Sequence, residues 1–145
     1  MANVEVTLTI EAEPRVIITD INSYKGLPGP NLSLVTYAAG EDISGHRAVY
    51  MSEDDTVMYA DKDGDQVCVL GVTTQASIEG DPIAIQTFGE IIEPSWNWDV
   101  SKAIYLSNNG YLTQEAPISG IIQRIGIPIN KTTMFVDIQM PIVTI

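Results

Sequence analysis

Apolar and polar residues alternate strictly near the start of the chain: Val4, Val6, Leu8 and Ile10 are separated by Glu5, Thr7 and Thr9. A period of two in β-branched residues predicts a half-buried strand. Glu13-Pro14 interrupts it, and Arg15-Val16-Ile17-Ile18-Thr19 predicts a second strand. From Asp20 to Ser33 the pattern lapses. Gly26-Leu27-Pro28-Gly29-Pro30 lacks the long series of glycines at every third position that collagen needs, so it predicts a stiff, polyproline-leaning connector. Beyond Leu34, short apolar runs follow at roughly ten-residue spacing. They cover 34–39, 48–51, 56–60, a long run at 66–74, 82–87, 89–92, 103–106, 111–113, 121–129 and 134–145. Gly, Pro, Asn and Asp punctuate them. Asn109-Gly110 is the sharpest turn signal, because both residues tolerate the positive φ of a two-residue type I′ hairpin. Helical periodicity is confined to two single-turn candidates, 74–78 and 116–121, the second limited by Pro117 and Gly120. The pattern as a whole predicts an all-β sandwich or barrel.

The same pattern occurs twice. Ala48-Val49-Tyr50-Met51-Ser52 returns as Ala103-Ile104-Tyr105-Leu106-Ser107, an offset of 55 residues. At that offset Val57 falls on Leu112, Val67 on Ile122, Leu70 on Ile125, Gly71 on Gly126, Val72 on Ile127 and Ile83 on Ile138. Register kept over roughly three dozen residues predicts a duplicated unit. Neither half alone is large enough to bury a core, so two packed halves, at about 45–90 and 100–145, should make one β domain with a pseudo-repeat. Tyr50 and Tyr105 recur at equivalent positions, which assigns them to the shared fold.

A chain of 145 residues suits one domain plus an arm: 1–33 for the arm and connector, 34–145 for the β domain. The net charge of −12, with only 7 Lys and Arg, changes the list of partners. Such a chain has no electrostatic footprint for nucleic acid and is repelled by an anionic membrane. No run approaches the roughly 20 apolar residues of a membrane span. The first residues lack a basic segment followed by an apolar one, so a soluble protein made in a cytoplasm is expected. The single cysteine, Cys68, excludes an intrachain disulfide and a Cys-rich zinc site. Inside Val67-Cys68-Val69-Leu70 it is expected to be a small buried hydrophobe.

Candidate chemistry is sparse. Asp61-Lys62-Asp63-Gly64-Asp65 has the look of a calcium loop, but Gln66 and Val72 stand where an EF-hand needs its glycine and its bidentate glutamate. A looser calcium site with Asp54 or Asp55 competes with a solvated turn whose carboxylates bond nearby backbone. His46 is the only histidine and lacks the partner set of a catalytic triad. No phosphate loop, nucleophile elbow or metalloprotease helix motif occurs. No catalytic, metal or cofactor residue is therefore assigned. Trp96 and Trp98 stand two apart, so on an extended segment both face one way. They either cap one end of the core, contact another subunit, or form an exposed platform for a sugar or protein.

Gly40-Glu41-Asp42-Ile43 with Ala48-Val49-Tyr50, then Val69-Leu70-Gly71-Val72, Glu79-Gly80-Asp81-Pro82-Ile83 and Phe88-Gly89-Glu90-Ile91 make a recognisable succession. It continues through Trp98, Ala103-Ile104-Tyr105-Leu106, Gly110-Tyr111-Leu112-Thr113, Pro117 and Ile125-Gly126-Ile127. This succession resembles the capsid decoration, or head cement, proteins of tailed bacteriophages, and the related β domains of head fibres. The resemblance covers residues 34–145. It implies a compact sandwich- or barrel-like domain of the β-tulip type and a homotrimer on the outer surface of the virion. It also implies a structural task without enzymatic activity or cofactor: bridging neighbouring major capsid subunits. Within that expectation the arm residues Val4, Val6, Leu8 and Ile10 would add a strand to a capsid sheet edge, or belong to the protein's own sheet. Trp96 and Trp98 would contact a subunit or partner. A head-fibre or tail-fibre module that binds a host receptor or glycan is the alternative, and a hydrolase with a carboxylate pair is a third reading.

Overall fold

The computed structural model describes residues 33–66 and 68–144. The strands expected at 4–10 and 15–19 lie outside the described residues. From Ser33 onward the chain forms one compact unit. Its first lobe contains β1 (Leu34–Ala39), β2 (Ala48–Met51), β3 (Thr56–Tyr59), β4 (Gly71–Thr73) and β5 (Pro82–Gln86). The second contains β6 (Gly89–Ile92), β7 (Ile104–Leu106), β8 (Leu112–Thr113), β10 (Arg124–Asn130) and β11 (Thr133–Val136). A small separate sheet pairs β9 (Ile121–Ile122) with β12 (Ile142–Val143). The all-β class expected from the alternating pattern is observed.

The two lobes share one topology. The first is a closed barrel of order β1-β3-β2-β4-β5, in which β1 runs antiparallel to β5 and parallel to β3. The second is an open sheet of order β6-β11-β10-β7-β8. Read round the barrel from β1 through β5, and along the open sheet from β6 through β11, the neighbours follow in equivalent order, β1-β5-β4-β2-β3 and β6-β11-β10-β7-β8. Register agrees to the residue where the sequence repeats. Val49 faces Gly71 and Ile104 faces Gly126; Tyr50 faces Met58 and Tyr105 faces Thr113; Met51 faces Val57 and Leu106 faces Leu112. Each pair is displaced from its mate by the same offset. Turns repeat as well: the Ser52 N–H donates to Thr56 O and the Ser107 N–H to Tyr111 O, both at 2.8 Å.

The offset does not persist to Ile83 and Ile138, as the sequence suggested. Ile83 is a buried residue of β5, whereas Ile138 lies beyond the end of β11. Residues 74–81 join β4 to β5, but only 131–132 join β10 to β11. Loop length changes cheaply because closure entropy grows slowly with length, so the repeat slips there without loss of topology. Gly71 and Gly126 show why the matched glycine recurs. A Cβ at either position would collide with a backbone carbonyl of the adjacent strand, that of Gln86 or that of Phe135.

Two cores result, where one joint core was expected. Ala39, Ile43, Val49, Val57, Ile83 and Ile85 fill the barrel. Ala48 and Val72, on the same strands as barrel residues, instead join Ile91, Ile104, Leu106, Ile125, Met134 and Val136 in the second core. Strands β2 and β4 are thus a shared wall, with one side turned to each core.

Three further expectations change. The run at 66–74 is regular only from Gly71, with Val67 outside the described residues. Val69 packs into the second core and Leu70 against the first, which leaves Cys68 exposed rather than buried. The single turns at 74–78 and 116–121 do not form. Ile43 and Ser77 exchange backbone hydrogen bonds of 2.8 Å across the barrel mouth, and Ile121 enters β9 after Gly120 at φ 75°. In both cases a partner across the fold captures the backbone that a local helix would use.

Candidate functional site

The expected Asn109-Gly110 hairpin forms, with Asn109 at φ 53°, ψ 40° and Gly110 at φ 74°. Its tip docks on the first lobe. The Gly110 N–H donates to Ala60 O, and a Cβ at Gly110 would stand 2.6 Å from Ala48 O. The Asn109 N–H donates to Asp61 Oδ2 at 3.1 Å. The Asn108 amide donates to both Asp61 Oδ1 and Asp63 Oδ2, each at 2.8 Å. Arg47 donates to Asn109 O at 2.9 Å while its guanidinium stacks 3.6 Å from the Tyr111 ring. Lys62 ties backbone on both sides, donating to Ser107 O at 3.1 Å and accepting from the Ile121 N–H at 2.6 Å.

This clasp resolves the candidate calcium loop. Asp61 and Asp63 form a turn, with the Asp63 N–H on Asp61 Oδ1 at 2.9 Å, and face N–H donors from the other lobe. Partial burial of Asp61 pushes its pKa up, but the hydrogen bonds from the Asp63 and Asn109 backbone and the Asn108 side chain outweigh this, and the net shift is downward. The Asn108 amide, then Lys62 Nζ at 3.2 Å, hold the Asp63 carboxyl below its ordinary value too. The geometry suits an anionic latch bridged by amides. Among the described residues no group of three or more His, Cys, Asp or Glu is placed to hold a metal ion. Asp54 and Asp55 sit instead in the β2–β3 turn, where Asp55 takes φ 61° at the position that Gly110 occupies in the repeat.

Trp96 and Trp98 are half-buried and pack against the second core. Their rings lie 5.1 Å apart, and the His46 ring meets Trp96 edge-on at 5.2 Å. The Trp98 indole N–H is buried with no acceptor among the described residues. Trp98 stands 55 residues after Ile43, which plugs the barrel core, so the repeat itself carried the signal for its place. The backbone beyond Trp98 is held as its counterpart is. Asp99 N–H donates to Gln114 Oε1 at 2.9 Å, and Ser44 N–H donates to Tyr59 Oη at 2.8 Å. The hydroxyl and N–H of Ser101 bond the Asp99 carboxyl and lower its pKa. His46 adopts φ 60° at the entrance to β2.

The outer surface carries large apolar side chains. Phe88 meets Phe135 edge-to-face at 5.0 Å, and Ile92, Ile127 and Ile129 are exposed on the same sheet. Ile118, Met140 and Ile142 are exposed elsewhere. Strand β6 has β11 on one side and, among the described residues, no strand on the other. A concavity lined by Tyr50, Glu53, Asp65, Gln66 and Cys68 opens broadly to solvent. The arm residues Val4, Val6, Leu8 and Ile10 lie outside the described residues.

Fold and site define a doubled all-β module whose ionised latch joins its own lobes and whose outer faces are apolar in patches. No protein-family model matches the chain, and no curated protein is detectably similar to it.

Proposed function

We propose that this protein is a structural component of a bacteriophage virion that decorates the outer surface of the capsid and stabilises the head by bridging neighbouring major capsid subunits. The observation that supports it is the division between interior and exterior. The carboxylates of Asp61 and Asp63 are engaged in joining the lobes, while Ile92, Ile118, Met140 and Ile142 face outward. Such a block acts through faces. A clamp between shell subunits needs about 1,200–2,000 Å² per specific contact. A homotrimer, linking three attachments, gains avidity without any new type of contact. The acidity, −12 overall, suits a surface that must neither adsorb DNA nor aggregate.

The test is addition of the purified protein to expanded capsids that lack it. Co-sedimentation in hundreds of copies per particle, with longer survival of heat and low salt, is the expected result. No binding, or binding without added resistance, overturns the proposal. The rival reading, a fibre module that grips a receptor or glycan, needs Trp96 and Trp98 as a displayed platform. Their packing against the second core favours decoration.

A further inference from the structure

The sheet of the second lobe has two apolar faces. Its inner face gives Ile91, Ile125, Met134 and Val136 to the core. On its outer face Glu90, Phe135 and Ile127 stand directly opposite one another across β6, β11 and β10. Phe88 meets Phe135 edge-to-face, and Ile92 and Ile129 are exposed beyond them on β6 and β10. An antiparallel sheet with one solvated face alternates apolar with polar residues, and this one does not. Phe88 is 52 % exposed, Ile92 65 %, Ile127 41 % and Ile129 45 %. At about 200 Å² for a large side chain, the four present roughly 400 Å² of apolar surface. A standard interface of about 800 Å² per partner, a little over half of it apolar, carries about 450 Å².

Charge shows where a like copy can approach. The chain carries −12, so two copies repel each other wherever their acidic loops meet. Glu53, Asp54, Asp55, Glu79 and Asp81 all stand in loops of the first lobe. Around the second sheet the charges nearly balance. Glu90, Glu93 and Asp137 stand against Lys131, at the β10–β11 turn, and Arg124, which pairs with Asp137 at 3.4 Å. We propose that the outer face of this sheet is a self-association surface, on which two copies of the chain pack sheet to sheet. The contact is isologous: the same residues of both copies meet about a two-fold axis, with Phe88 and Phe135 as aromatic anchors. The proposal does not rest on the virion reading. Within that reading it leaves shell contact to the exposed Ile118, Met140 and Ile142, and it neither supplies nor excludes a three-fold axis.

Sedimentation equilibrium of the full chain reads the association. Dimers should form as concentration rises through the micromolar range. They should form more readily in about 0.5 M than in about 0.05 M salt, because screening relieves the repulsion between two acidic copies. Ile92→Asp and Ile127→Asp should each weaken the dimer roughly tenfold or more. Ile118→Asp, at a side chain 95 % exposed away from this sheet, should leave it unchanged. A circular dichroism spectrum like that of the wild type shows that a variant has kept its fold, and either folded variant alone decides. A wild type that stays monomeric up to about 1 mM overturns the proposal and assigns the face to another partner. So does an oligomer that either folded variant leaves unchanged, or that Ile118→Asp weakens equally, since its contact then lies elsewhere. Association that falls as salt rises overturns it too, because ionic contacts then hold the copies together.

Discussion

Replacing Gly71 and Gly126 by alanine, singly and together, tests the duplication at its tightest points. In each lobe the new methyl group would meet a carbonyl of the adjacent strand, Gln86 O or Phe135 O, well inside van der Waals contact. Relief requires the strand to retreat by about 1 Å, more than a ladder hydrogen bond near ~2.9 Å can absorb. Overpacking of this kind costs about 1–3 kcal/mol, and losing one or two ladder bonds adds about 1 kcal/mol each. Each variant should therefore lose roughly 2–5 kcal/mol, a large part of the ~5–15 kcal/mol expected for a domain. Gly80→Ala is the control. Gly80 has φ 90° but nothing within 4 Å of the added methyl group, so only left-handed strain of about 1–2 kcal/mol applies. Urea denaturation followed by circular dichroism compares the four variants with the wild type, the midpoint falling at constant slope where stability alone changes. If Gly126→Ala cost no more than the Gly80 control while Gly71→Ala cost the full amount, the equivalence of the lobes would be refuted.

Asp61→Ala strips acceptors from the Asp63 N–H, the Asn109 N–H and the Asn108 amide, and should cost about 2 kcal/mol in the same assay. Because those oxygens already serve N–H donors, added calcium should leave the wild-type melting temperature unchanged; a clear rise would contradict the latch. Asp61, Asp63 and Asp99 have folded pKa values below their unfolded ones. Their contribution is therefore present above the unfolded value, near ~4, and is lost as pH falls through the folded values. The urea midpoint should drop on acidification below about pH 4, less steeply for Asp61→Ala; equal slopes would show that the latch is not titrating. Trp98→Ala should cost about 3 kcal/mol, by loss of a large side chain from the second core, and Trp98→Phe about 1 kcal/mol. A negligible effect of Trp98→Ala would place the ring on a free surface instead.

Local signals were legible where the physics is local. Asn109-Gly110 announced its hairpin because the turn's positive φ angles select those residue types. The short apolar runs at 82–87, 89–92 and 103–106, bounded by Gly, Pro, Asn and Asp, placed β5, β6 and β7 nearly to the residue, since turn residues punctuate strands locally. The apolar run at 66–74 misled because an uninterrupted run does not say which side of the chain each residue faces. Cys68 precedes Val69 and Leu70, which are claimed by different cores, and is itself left exposed. The acidic loop misled for a related reason. Its spacing suits a cation, and its actual partners sit more than forty positions away in the sequence, at Asn108 and Asn109.

By itself, the sequence determined the β class, the positions of most strands and the existence of two matched halves. Propensity, turn chemistry and repeated glycines act within a few residues or recur at a fixed interval. Tertiary structure alone decided that one half closes into a barrel while the other stays open, and that β2 and β4 serve both cores. It also decided that Asp61 and Asp63 grip the opposite hairpin and that β6, among the described residues, has a strand on one side only. Those outcomes depend on which distant segments compete for the same backbone donors and the same buried volume, and no local pattern records the winner.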